Sequence, residues 1–237
     1  MKLLVASGYL LFGHRLPVKY TVLRGFAYIM LILFSSYLPN ILAMAGGDGE
    51  IISSSFSAGI VIVDVLSYLL EGLILGLLMR NYAVELPATS RLVKWSKFLL
   101  LCAVNGVLFA VLNGAFDLVL GTAGGSWRLC GLLQVSPERE SVFYIVFTVC
   151  MCIAGLLLPL WFRYCMPEDA ALSAPVRFAL KLAATVWLPN VLIMVFFGTP
   201  VMPTLAYGAG YALMFMICVL VYKKLSQLFA STDSSQS

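Results

Sequence analysis

Five side chains carry the chemistry a first reading of this chain offers: Asp64, Tyr68, Glu71, Asn113 and Asp117. All lie inside long apolar stretches. An ionisable group there costs about 2.5–3.5 kcal/mol at the bilayer centre on insertion scales, so it turns toward a bundle interior. Asp64 and Glu71 are seven residues apart, two turns of a helix, and therefore share one face. Tyr68 stands between them, with its hydroxyl within reach of either. At helical period Asn105, Asn113 and Asp117 fall within an arc of about 120°. With the amino terminus inside, Asp64, Asn113 and Asp117 lie in the outer half and Glu71 near the midplane. Asn40 and Asn190 reach the middle or outer half as well, and no Lys or Arg shares that depth. A carboxylate in a low-dielectric site either keeps its proton or meets a cation. The expectation is an outward-facing polar pocket lined by Asp64, Tyr68, Glu71, Asn113 and Asp117, suited to a small cationic or proton-coupled solute. Trp187, Tyr207 and Tyr211 would supply aromatic walls. The plainer reading has Asp64 and Asp117 reaching water and Glu71 protonated, bonded to a neighbouring helix and serving assembly, where such contacts average below about 2 kcal/mol.

Elements that position these residues follow from composition. Of 237 residues 62% are hydrophobic and only 26 are charged, with a mean hydropathy of +0.99. A soluble domain carries charge on about 25% of its residues, and a globule with so little could not cover its own surface. The fold class expected is all-α: a polytopic membrane protein, a bundle of six transmembrane helices. A crossing helix needs about 20 mostly apolar residues. Six stretches qualify, at about 25–45, 57–78, 98–121, 142–162, 180–198 and 203–222. The fifth is interrupted by Pro189-Asn190 and opens on Lys181, whose long stem lets its ammonium snorkel to the headgroups. An inside amino terminus puts thirteen basic residues on inner segments and leaves only Arg128 and Arg139 outside. That asymmetry predicts both termini in the cytoplasm, in a bacterial inner membrane. It also accounts for the net charge of +4 without any nucleic-acid partner. The organisation expected is a cytoplasmic or interfacial segment over 1–24, the six-helix domain over 25–224 and a flexible tail over 225–237. Residues 1–16 lack the long apolar run and small-residue cleavage site of a signal peptide.

Several chemistries are excluded. His14 is the single histidine, which removes bis-His haem ligation, HExxH zinc sites and a buried Ser–His dyad. Cys150 and Cys152 diverge by about 200° on a helix, which defeats joint metal ligation. Only Cys130 of the six cysteines faces outside, so no disulfide, metal site or cofactor is expected. Gly46-Gly47-Asp48-Gly49 reads as a turn, and no phosphate-binding glycine motif is present. The outer loop from Thr122 to Ser141 holds Trp127, Leu129, Leu132 and Leu133, apolar enough to lie along headgroups as a cap.

Gly72 with Gly76, and Gly106, Ala110 and Gly114, form small-residue stripes that let helices approach closely. Val18-Lys19-Tyr20, Val93-Lys94-Trp95 and Val176-Arg177-Phe178 each precede an odd-numbered span, as three parallel hairpins would require. Basic and aromatic residues also collect at the inner interface without any repeat. Leu38-Pro39-Asn40 and Leu188-Pro189-Asn190 stand at different distances from their triplets, 19 and 11 residues. The layout of six helices, both ends inside and longer outer loops, resembles the substrate-binding components of energy-coupling-factor vitamin transporters. The resemblance covers topology alone, and the Ala-xxx-Ala pattern of their first helix is missing from the first span. Two functions follow as expectations: binding or moving a small solute, or a non-catalytic scaffold or accessory subunit of a larger envelope assembly. The partners expected are the lipid bilayer, a small solute and partner membrane subunits. A membrane enzyme using carboxylates alone ranks third.

Overall fold

The computed structural model describes residues 2–37, 41, 58–79, 93–166, 173–188, 191, 194–195 and 198–234. Among these the chain is helical throughout, with no strand. Helix α1 spans Lys2–Phe12. Helix α2, Thr21–Ile32, runs into a wide π turn, Leu33–Tyr37. Helix α3 covers Ala58–Leu78 and α4 Trp95–Gly121. A short α5, Leu129–Leu132, sits in the loop before α6, Glu140–Cys165. Helix α7, Ser173–Leu182, again ends in a π turn, Ala183–Trp187, and α8 covers Val201–Ser234. Four of the described helices, α3, α4, α6 and α8, are long and apolar enough to cross a bilayer. The first and fifth expected spans are represented by shorter helices, each ending in a π turn.

Three antiparallel hairpins dominate the packing: α2 on α3, α4 on α6, and α7 on α8. Small residues permit the first two. A Cβ at Gly25 would collide with the Gly72 carbonyl, and one at Gly76 would lie 2.7 Å from Thr21 O. In α4, Gly106 meets Cys152 and Leu156 of α6. Ala110 packs partly buried beside the core, whereas Gly114 faces open space. Residues 2–16, read from sequence as interfacial, send Val5, Tyr9, Phe12 and Leu16 into the core. Tyr28 ties this segment down by donating to Val5 O at 2.8 Å. At the other end α8 continues through most of the stretch expected as a tail, where Lys97 donates to Phe229 O at 3.1 Å.

The two π turns reveal the register of an internal repeat. Leu33–Tyr37 and Ala183–Trp187 are 150 residues apart, and each leads directly into Leu-Pro-Asn. A proline has no N–H to give, and in a regular helix its ring meets the carbonyl four residues back. Four back from Pro39 and Pro189 stand Ser35 and Thr185. Both hydroxyls bond backward along their own helices: Ser35 Oγ to Leu31 O at 2.5 Å and Thr185 Oγ1 to Lys181 O at 2.8 Å. Such back-bonding by Ser and Thr bends helices, and it accompanies the widened turn at both places. The same offset relates α1–α2–α3 to the carboxy-terminal part of α6, α7 and α8, with α4 and its following loop between the halves. Contacts exchange accordingly. Helix α6 reaches the first π turn, where Trp161 Nε1 donates to Ser35 Oγ at 3.3 Å. Helix α1 reaches the second, where Gly8 lies against Thr185. The LPN motifs and the π turns align at this offset of 150, whereas the basic triplets stand 75 and 83 residues apart.

Candidate functional site

Asp117, one turn before the end of α4, is buried and gathers donors from three directions. Leu129 N donates to Oδ1 at 2.7 Å. Tyr207 of α8 donates to the same oxygen in a short hydrogen bond. Tyr144 of α6 donates to Oδ2 at 2.7 Å, and Arg128 Nε approaches that oxygen at 3.3 Å. The carboxylate thus ties α4, α6, α8 and the loop at one point. Arg128 also reaches Glu140 Oε1 at 3.0 Å and stacks over the Tyr144 ring, 4.8 Å from its centroid. Burial alone lowers the Arg128 pKa, but Tyr144 and Asp117 outweigh it and hold the guanidinium above its ordinary value. Beneath the arginine Leu129, Leu132 and Leu133 are buried, so the loop closes onto the bundle by its apolar side chains.

The absence of a cation at the depth of Asp117 was the premise of a shared acidic pocket, and Arg128 corrects it. Eleven residues beyond Asp117, after a tight turn, it folds back over the helix end. A lone basic residue one short loop from a buried acid is the signal that would have found it.

Asp64 belongs to a second network. Tyr37, the last residue of the first π turn, donates to Asp64 Oδ2 at 2.7 Å. Its ring lies 5.0 Å from that of Tyr68. Glu71, half-buried on the same face of α3, lies within electrostatic reach of Tyr68 and Tyr28. Asp64, Tyr68 and Glu71 are therefore together, as their spacing implied, with Tyr37 added. No hydrogen bond among the described residues joins Asp64 to Asp117. Asn113 is buried and donates to Phe109 O on its own helix at 2.8 Å.

A packed aromatic cluster lies on the second half. Trp187, ending the second π turn, stacks on Tyr211 at 4.4 Å, with Phe109 and Phe215 each 5.9 Å away. Each π turn thus closes on an aromatic that packs against the following helix, Tyr37 on Tyr68 and Trp187 on Tyr211. Trp187 Nε1 and Asn105 Oδ1 are both buried without a hydrogen-bond partner, a donor and an acceptor in the layer around Phe109. Unsatisfied buried polar atoms are rare and call for a water or a ligand.

No family model, curated protein or solved structure matches the chain. The topological likeness to vitamin-transporter components therefore gains no support from known folds.

Proposed function

We propose that this chain is a six-crossing protein of a bacterial inner membrane, with both termini in the cytoplasm, that binds or translocates a small solute. The shorter α2 and α7, with the residues that follow their π turns, would complete the first and fifth crossings. The thirteen-to-two distribution of basic residues supports the orientation.

One observation carries the reading: two helices in corresponding positions of the two halves are interrupted alike and touch. Ser36 Oγ, in the first π turn, donates to Val186 O, in the second, at 3.1 Å. Paired Pro-interrupted segments at a repeat interface point to a binding site in membrane transport folds, because broken helices offer backbone groups to a solute. The aromatic cluster of Trp187, Tyr211, Phe109 and Phe215 adjoins this contact and includes the orphaned Trp187 N–H. Asp64 and Glu71 supply the negative charge on the first half, which favours a cationic or proton-coupled solute. Asp117, fully engaged by its donors, serves to close the outer end.

A second reading, a non-catalytic scaffold or accessory subunit, draws on the same satisfied state of Asp117, which needs no ligand. Thermal-shift measurements on the purified chain with sodium, potassium, spermidine and thiamine separate the two. A ligand that prefers the folded state raises the melting temperature. The solute reading expects a rise with at least one of these in the wild type, and none in a folded Asp64→Asn, Glu71→Gln variant. No rise with any of the four favours the scaffold.

A further inference from the structure

We infer that residues 124–135 form a hinged plug that swings off the bundle as one body and uncovers the Asp117–Tyr207 end of the seam between α4 and α8. The segment is bonded largely to itself. Trp127 N donates to Gly124 O at 2.9 Å, Leu132 N to Arg128 O at 2.9 Å and Leu133 N to Leu129 O at 3.0 Å. Val135 N reaches back to Cys130 O at 2.9 Å around Gln134, whose φ of 55° closes the end of α5. Gly131 lies directly on Gly125 O. At one boundary stands Gly124, with a φ of 143° that glycine adopts readily and that suits a pivot. At the other, the bonds of the segment end at Val135, and the turn into α6 begins at Ser136, whose carbonyl accepts from Arg139 N.

Among the described residues, the polar ties from this segment to bundle side chains converge on Asp117, Glu140 and Tyr144. Asp117 tolerates their loss, because each of its oxygens has two donors of different origin. Oδ1 accepts from Leu129 N of the segment and from Tyr207 of α8. Oδ2 accepts from Arg128 of the segment and from Tyr144 of α6. Once the segment leaves, each oxygen keeps a tyrosine, so no buried carboxylate is stranded without hydrogen bonds. Arg128 in turn keeps Glu140, whose side chain is 38% exposed at the start of α6. The remaining seal is apolar, made by Leu129, Cys130, Leu132 and Leu133. A small unit held by side chains at one end of a fold opens at lower free energy than the core, and lids of this kind turn on a few residues at their ends. Beneath the plug Tyr207 and Tyr211 stand one turn apart on α8, and Tyr211 stacks on Trp187. Admitting a solute to that cluster is a use of the plug that rests on the solute reading; the opening itself does not.

Cys130 is a native reporter, because its thiol meets Glu140 and Tyr144 only while the segment is seated. The full chain in uncharged detergent is treated with N-ethylmaleimide at about pH 8, and Cys130 labelling is followed by peptide mass mapping. Helical circular dichroism is recorded on the same samples. Arg128→Gln should raise the labelling rate about fivefold, with the helical signal unchanged. Burial raises the thiol pKa and the guanidinium opposes it, so a thiol that is reached without opening would label more slowly in this variant. Leu132→Ala loosens the apolar seal without touching a charge and should raise the rate by at least about tenfold. It decides the outcome should Arg128→Gln fail to fold. No solute is present, so failure here is distinct from failure of the solute reading in the thermal-shift test. A rate unchanged or lowered in the folded variants, or raised only in step with lost helical signal, overturns the inference.

Discussion

Ser36 donates its hydroxyl proton to the carbonyl of Val186 at 3.1 Å, and the two residues hold the same place in two π turns that each lead into Leu-Pro-Asn. Equivalent residues of a duplicated unit meet only near the axis that relates the copies. A second such pair lies beyond the opposite end of α2, where Arg15 Nη1 donates to Cys165 O at 2.9 Å, again across 150 positions. Two contacts so placed are what a pseudo-twofold relation between the two halves requires. Parallel repeats related in this way are one of the standard plans of membrane transport folds.

The hydroxyls at this axis should be unequal in value. Ser35→Ala removes the acceptor of the Trp161 N–H and leaves a buried donor unsatisfied, a loss of about 1–3 kcal/mol. Ser36→Ala removes the hydrogen bond to Val186 O, and the loss of that bond should cost about 1 kcal/mol. Reversible denaturant unfolding of the purified variants gives the order, and equal losses would show that Trp161 finds another acceptor.

Asp117 should behave as a structural tie. Asp117→Ala leaves Arg128, Tyr144, Tyr207 and the Leu129 N–H without their shared acceptor, and should destabilise by about 3–5 kcal/mol, as breaking a buried pair does. Asp117→Asn keeps an acceptor oxygen and should lose less. Partial exposure of Arg128 limits the ionic share of either effect. The readouts are the unfolding midpoint and the protease sensitivity of the 122–140 loop, both of which should worsen together.

Two glycines in comparable helices should respond oppositely. At Gly25 an added methyl collides with the Gly72 carbonyl, so Gly25→Ala should cost about 3 kcal/mol through a forced separation of α2 from α3. At Gly114 nothing lies within 4 Å of an added Cβ. Gly114→Ala should be neutral or stabilising by up to about 1 kcal/mol, from helix propensity. Thermal melts of the two variants side by side provide the check.

Cys130 lies in the loop between α4 and α6, and its thiol is pushed above the ordinary range by burial first and by Glu140 next. The raised folded value means that the protonated thiol is favoured in the native state. Its contribution to stability is therefore complete below the unfolded pKa and is lost as pH rises through the folded one. Because only the thiolate is nucleophilic, Cys130 in the folded protein should react with maleimide more slowly at pH 8 than the same thiol in denatured chain. Mass mapping of labelled peptides over pH 7–10 measures this, and equal rates would mean that the loop leaves Cys130 open.

Hydropathy alone was enough to place α3, α4, α6 and α8, whose ends fall within a few residues of the apolar stretches in all cases but the long α8. Water and lipid act on each side chain independently of tertiary contacts, so a run of Leu, Val, Ile and Phe is read locally. Helical periodicity likewise brought Asp64, Tyr68 and Glu71 to one face and placed Gly72 and Gly76 at a helix contact, because those relations arise within one helix. What the linear chain could not disclose was which partner each polar group meets. Arg128 folding back on Asp117, Tyr37 bonding Asp64, and Tyr144 and Tyr207 arriving from distant helices depend on how hairpins pack. The repeat was obscured for a related reason. Basic triplets mark an interface that every span has, while the LPN motifs mark an axis only once two π turns are seen to touch.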